Sequence, residues 1–142
     1  MQTRFSAISD LIGERKFKQP EVEAITELLI WTMYADDEIR LEENDAIDEF
    51  LKTVKWDSPL QPEYYFGSAV AKVRNAMDES SKADALLADI RDRLADRETM
   101  VEAVQACYAL AQADGEVGPR ETEFLARISR EFQVELPDQA QE

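Results

Sequence analysis

Two stretches of this sequence space carboxylates closely enough to do chemistry: Ala35-Asp36-Asp37-Glu38-Ile39 followed by Glu43, and Ala113-Asp114-Gly115-Glu116-Val117 followed by Glu121. Clustered carboxylates are hard oxygen donors, so what they offer is capture of a divalent cation such as calcium or magnesium. Asp114, Gly115, Val117 and Glu121 fall at the fifth, sixth, eighth and twelfth positions of an EF-hand loop. The first half of such a loop is missing. Its first and third positions would be Leu110 and Gln112 in one stretch and Thr32 and Tyr34 in the other, and Asp37 stands where the turn glycine belongs. Calcium takes about six to eight oxygens, so a cation needs both corners at once, with Asp36, Glu38, Asp114 and Glu116 brought together. The same residues also make sense as architecture. Asp and Gly suit the backbone after a helix, Ile39 and Val117 can plug a corner, and a Glu at the third position of the next helix can return to its free N–H groups. Pro119 at a first helical position puts Glu121 at that third position. Turn plus cap accounts for most of the motif without a ligand.

Other chemistry is excluded by composition. The chain has no histidine, which removes imidazole acid–base catalysis, Ser-His and Cys-His nucleophiles and histidine metal ligation. Any metal site must therefore be carboxylate-rich. Sixteen Lys and Arg against 31 Asp and Glu give a net charge of -15, which repels phosphate backbones and anionic headgroups, so no nucleic-acid partner is expected. The one basic cluster, Arg15, Lys16 and Lys18, is too small to reverse that. The single Cys107 lies in AVQACYALA without a nearby base and reads as a core thiol, in keeping with a reducing, cytoplasmic compartment. The apolar run Leu28–Trp31 is far below spanning length, so no direct membrane insertion is expected.

The elements that must position the carboxylates are helices. Apolar residues at three- and four-residue steps predict amphipathic helices over about 20–35, 41–54, 62–77, 83–94, 97–112 and 119–133. A weaker segment, Phe5, Ile8, Leu11 and Ile12, brings the expectation to seven. Pro20, Pro62 and Pro119 suit helix starts, and WDSPLQP at 56–62 reads as a connection. The charges of Asp89–Glu98 read as a solvated helix face, Trp31 and Trp56 as packing anchors. Of Tyr64, Tyr65 and Phe66, two belong in the core and one tyrosine at the surface. The fold class is thus all-α, a single domain over 1–136 with a polar tail at 137–142.

Asp36 and Asp114 stand 78 residues apart, and the helical phase agrees at the same shift on both sides: Leu29 with Cys107, Ile47 with Leu125, Phe50 with Ile128. An internal two-fold repeat of helix-corner-helix units is expected, with halves at about 20–56 and 97–133. This duplicated Ala-Asp-[Gly/Asp]-Glu-[Ile/Val]…Glu corner, in an acidic all-helical chain, resembles the TerB family of tellurite-resistance proteins. The resemblance implies a seven-helix fold and a place in bacterial stress systems. It also implies a relation to domains at the cytoplasmic-side or membrane-associated ends of co-chaperones, and cation or partner contacts through Asp36, Glu38, Glu43, Asp114, Glu116 and Glu121. The function expected is a non-enzymatic acidic interaction or cation-sensing module, with calcium or magnesium the candidate ion and a basic or membrane-associated protein the candidate partner. The rival readings are a metal-dependent hydrolase working through paired carboxylates, since metal-bound water needs no histidine, and a purely structural helical adaptor.

Overall fold

The computed structural model describes residues 17–35, 47, 50–51, 56–112 and 118–136. Among these residues there is no strand, and five helices are laid out: α1 (Gln19–Tyr34), α2 (Pro62–Met77), α3 (Ser80–Leu94), α4 (Arg97–Ala111) and α5 (Pro119–Phe132). The seven-helix expectation is thereby corrected to five among the described residues. The N-terminal segment lies outside them, and of the helix expected at 41–54 only Ile47, Phe50 and Leu51 are described, all helical and buried.

The centre of the molecule is α1, which packs against α2, α3 and α4 and touches α5. The sequence pattern suggests one polar face for this helix, yet twelve of its sixteen residues are buried. The reason is visible in its second half, where Leu28, Leu29, Ile30, Trp31 and Met33 point in every direction around the axis and are all enclosed. Each such side chain is stabilised by roughly 1.5–3 kcal/mol on leaving water, so neighbours on all sides outweigh the cost of enclosing the few polar groups between them. Thr26 and Thr32 meet that cost locally, their hydroxyls donating to the carbonyls of Val22 (2.7 Å) and Leu28 (2.9 Å) one turn back.

The other helices wrap this rod with one apolar stripe each. Tyr65, Ala69, Val73 and Ala76 face inward from α2; Ala83, Leu86, Leu87, Ile90 and Leu94 do so from α3. The connection at 56–60 is fastened at both ends: Trp56 Nε1 donates to the Leu60 carbonyl (2.7 Å), and the Asp57 N–H donates to Gln19 Oε1 at the start of α1 (2.8 Å). Between α3 and α4 the chain reverses in two residues. Ala95 adopts a φ of 69°, and Asp96 then caps α4 by accepting from the Thr99 N–H at 2.7 Å.

Candidate functional site

Of the six carboxylates singled out by spacing, Asp36, Glu38, Glu43, Asp114 and Glu116 lie outside the described residues, as do Ile39 and Val117. Glu121 is described, and it is where the turn-and-cap reading places it. Gly118 is the N-cap of α5, Pro119 follows, and Glu121 Oε1 accepts the Gly118 N–H at 3.1 Å from a position 1% exposed. Glu21 does the same for α1, with Oε1 accepting the Lys18 N–H at 2.9 Å. Each bond satisfies one of the donors that a helix start leaves open, and each sets a negative charge against the positive end of the helix dipole. The second corner therefore leaves a helix that ends at Ala111 and enters one whose first turn is fixed by Glu121. Among the described residues, no group of three or more Cys, Asp or Glu side chains is gathered as metal ligands.

What the described residues do gather is a buried ion cluster on α1. Glu27 has no exposed surface, and four bonds meet its carboxylate. Arg93 of α3 grips it with both terminal nitrogens, Nη1 to Oε2 at 3.0 Å and Nη2 to Oε1 at 2.5 Å. The Tyr65 hydroxyl of α2 donates to Oε2 at 2.6 Å, and Lys72 Nζ reaches the same oxygen at 3.2 Å. Arg93 also pairs with Asp89 one turn earlier at 2.9 Å. Burial alone would raise the Glu27 pKa, but the bonds from Arg93 and Tyr65 and the charges of Arg93 and Lys72 override it and hold the carboxyl below its ordinary range. Burial and the adjoining carboxylate push the Tyr65 phenol upward, so it remains a donor. Burial would lower Arg93; bonding to Glu27 and the charges of Glu27 and Asp89 raise it instead. Glu27, Tyr65 and Arg93 are thus each fixed in one protonation state around neutrality, which makes the cluster a clamp between α1, α2 and α3 rather than an acid–base centre.

Asp89, Asp92, Asp96, Arg97 and Glu98 are exposed, as a solvated face requires, and the cluster corrects that reading of Asp89–Glu98 at Arg93. Arg93 is 19% exposed and turned inward, and Arg91 bridges to Glu131 of α5 at 2.9 Å. A signal for it exists in the sequence: a helix apolar on all sides leaves Glu27 no polar face, and a carboxylate with nowhere to go needs a cation. Arg93, three residues after Ile90 and seven after Leu86, stands on the edge of the α3 apolar stripe.

A sequence model of the family described as tellurite resistance protein TerB matches residues 21–141. The chain belongs to the TerB family. No curated protein and no solved structure matches it. The match embraces both acidic corners and every described helix of this TerB chain except the first residues of α1.

The remaining candidates of the TerB chain are packing residues. Cys107 is fully buried, and burial pushes its thiol up to about 12 despite a bond with Thr32, so it is a core thiol. Trp31 stacks on Phe124 at 5.1 Å and Trp56 tilts over Tyr65 at 5.4 Å, both as anchors. Tyr65 is enclosed and Tyr64 is 69% exposed, the division expected for the aromatic cluster. Among the described residues, no helix is long and apolar enough to cross a membrane.

Proposed function

We propose that this TerB-family chain is a non-enzymatic cytoplasmic module of a tellurite-resistance-like stress system, whose two acidic corners jointly take up calcium or magnesium. Asp36, Glu38 and Glu43 would supply one side of the site and Asp114, Glu116 and Glu121 the other. The observation that carries this reading is the pairing of helices at the shift that relates the corners. N-caps Lys18 and Asp96 are 78 residues apart, as are the helix starts Gln19 and Arg97. At the same separation, the Thr99 hydroxyl approaches Glu21 Oε2 at 3.5 Å. Residues beside a twofold axis touch their own repeat equivalents, and this contact is in keeping with a pseudo-twofold between α1 and α4. On this reading the two corners, which follow these two helices in the sequence, would bring their carboxylates to one shared site.

Such a site has a distinct signature. Carboxylates held together repel, a bound cation relieves that cost, and a ligand at 100 times its dissociation constant adds about 2.7 kcal/mol to stability. Melting temperature should rise with millimolar calcium or magnesium beyond the rise produced by sodium chloride of equal ionic strength. D114N/E116Q should abolish the difference while leaving the melting temperature in monovalent salt near its original value, because both amides still suit a turn. Divalent and monovalent salts acting identically would leave the acids to a basic protein partner or to solubility.

A further inference from the structure

The inward stripe of α2, Tyr65, Ala69, Val73 and Ala76, packs against α1 and α3, and the opposite side is open to solvent. From Tyr64 to Asn75 that side presents Tyr64, Gly67, Ser68, Ala71 and Asn75, all exposed and none charged, in a chain of which 33% is charged. Tyr64 and Leu60, the latter just ahead of the helix, are the two most exposed large hydrophobic side chains among the described residues, at 69% and 45%. Gly67 lies in the middle of this face. A Cβ there meets nothing within 4 Å, so packing inside one chain gives no reason for a glycine, and a mid-helix glycine lowers helix stability relative to alanine. What it does allow is the close approach of a second backbone. Glu63 and Arg74 run along one edge of the face. Both are exposed and neither has an ion pair among the described residues; Arg74 lies over the Tyr34 ring at 5.9 Å, a contact that leaves its charge in place. A separation of 11 residues is three helical turns plus about 20°, so the two charges stand nearly on one line, about 16 Å apart.

We propose that this face pairs with the same face of a second copy of the chain, the two α2 helices running antiparallel about a twofold axis near Ser68. A twofold perpendicular to both helices sets like edge against like edge with the direction reversed. Glu63 then meets Arg74 of the partner subunit, and Arg74 meets the partner's Glu63. A parallel arrangement would set Glu63 against its own copy, and a partner of another kind has no need of two opposite charges in this register. The midpoint between the charges falls between Ser68 and Ala69. Gly67, Ser68 and Ala71 lie within about 4 Å of it along the helix, where small side chains let two helices close to about 8 Å, the near end of the usual interaxial range. Tyr64 reaches over Ala71 of the partner subunit. The net charge of -15 on each copy opposes association, but at physiological ionic strength that repulsion fades over about 8 Å, and the paired edges carry both signs equally. One helix face is a small interface, so the dimer is a weak, exchanging one. The inference is independent of the acidic corners and of any role in cation binding.

Sedimentation equilibrium of the full chain at about 0.15 M salt, from about 10 μM to about 1 mM protein, tests it. The average mass should climb from 16.2 kDa toward twice that value. Glu63→Arg should weaken association by roughly tenfold or more, because it sets like charges together at both symmetric contacts, and adding Arg74→Glu to it should restore association. Gly67→Leu should abolish association while the urea midpoint at micromolar concentration stays undiminished, since the position is open within one chain. Cysteine cross-linking reads the register separately, and the single native thiol, Cys107, is buried and does not interfere. Ser68→Cys, beside the axis, should give a disulfide-linked dimer under mild oxidation, whereas Asn75→Cys, about 20 Å from its counterpart along the helices, should not. A monomer at every concentration, a double variant no better than Glu63→Arg alone, or association that survives Gly67→Leu would each overturn the proposal. So would Asn75→Cys linking as readily as Ser68→Cys.

Discussion

Glu27 is a carboxylate with no exposed surface in a chain already overloaded with acids, and its tolerance rests on Arg93. Arg93→Met should cost about 3–5 kcal/mol in urea unfolding, the penalty for stranding a buried charge. The paired change Glu27→Leu with Arg93→Met should recover most of that loss, since apolar replacement of a buried ion pair is often neutral or favourable. The pH dependence separates the two. In the native protein Glu27 is held below the ordinary carboxylate range, so on acidification the unfolded chain takes up its proton first. The cluster's contribution is complete at neutral pH and is lost as pH falls through the ordinary carboxylate range toward the folded value. In Arg93→Met, burial is the larger influence and raises the same pKa, so the folded state gains a proton first and the penalty shrinks as pH drops from 7 to 5. A penalty that stays constant across that range, measured by chemical denaturation, would mean that Lys72 and Tyr65 suffice to keep Glu27 ionised.

At the scale of elements, α2 carries an untested economy. Gly67 sits in mid-helix, is exposed, and a methyl group placed on it meets nothing within 4 Å. Gly67→Ala should therefore raise stability by about 0.5–1 kcal/mol through the smaller entropy of the unfolded chain, seen as a higher urea midpoint with an unchanged slope. Elements of this kind were legible from local signals. Pro62 and Asp78 bracket α2, Pro119 and Glu121 start α5, and Asp96 starts α4, because caps and prolines act within one turn of the chain. The start of α3 was less legible: the helix opens at Ser80 rather than near Ala83, where its apolar stripe begins, since a first turn exposed on every side leaves no periodicity to read. The Glu27–Arg93–Tyr65 cluster was hidden for a different reason. Tyr65 and Arg93 lie 38 and 66 residues from Glu27 on two other helices, and although Arg93 borders the apolar stripe of α3, nothing local to it names the carboxylate that it meets.

On the scale of the whole molecule, two kinds of electrostatics coexist and respond differently to salt. The net charge of -15 acts through water across the surface, and its self-repulsion favours the expanded unfolded chain. Raising sodium chloride from about 0.01 M to about 0.15 M shortens the screening length from about 30 Å to about 8 Å, so it should stabilise the folded protein. The Glu27 carboxylate is enclosed by protein and Arg93 lies within bonding distance of it, where mobile ions do not penetrate, and salt should leave the strength of that pair nearly unchanged. The Arg93→Met penalty should then be the same at both salt concentrations while the stability of both proteins rises in parallel. The comparison is sensitive because the surface term shifts the two unfolding midpoints together and cancels in their difference. If the penalty falls as salt rises, ions or water are reaching Glu27, and the clamp that holds α1, α2 and α3 together is an exposed pair rather than a buried one. A constant penalty would mean that the core where α1, α2 and α3 meet is insulated from the charge around it, so screening at the surface strengthens the fold without touching the clamp that joins these helices.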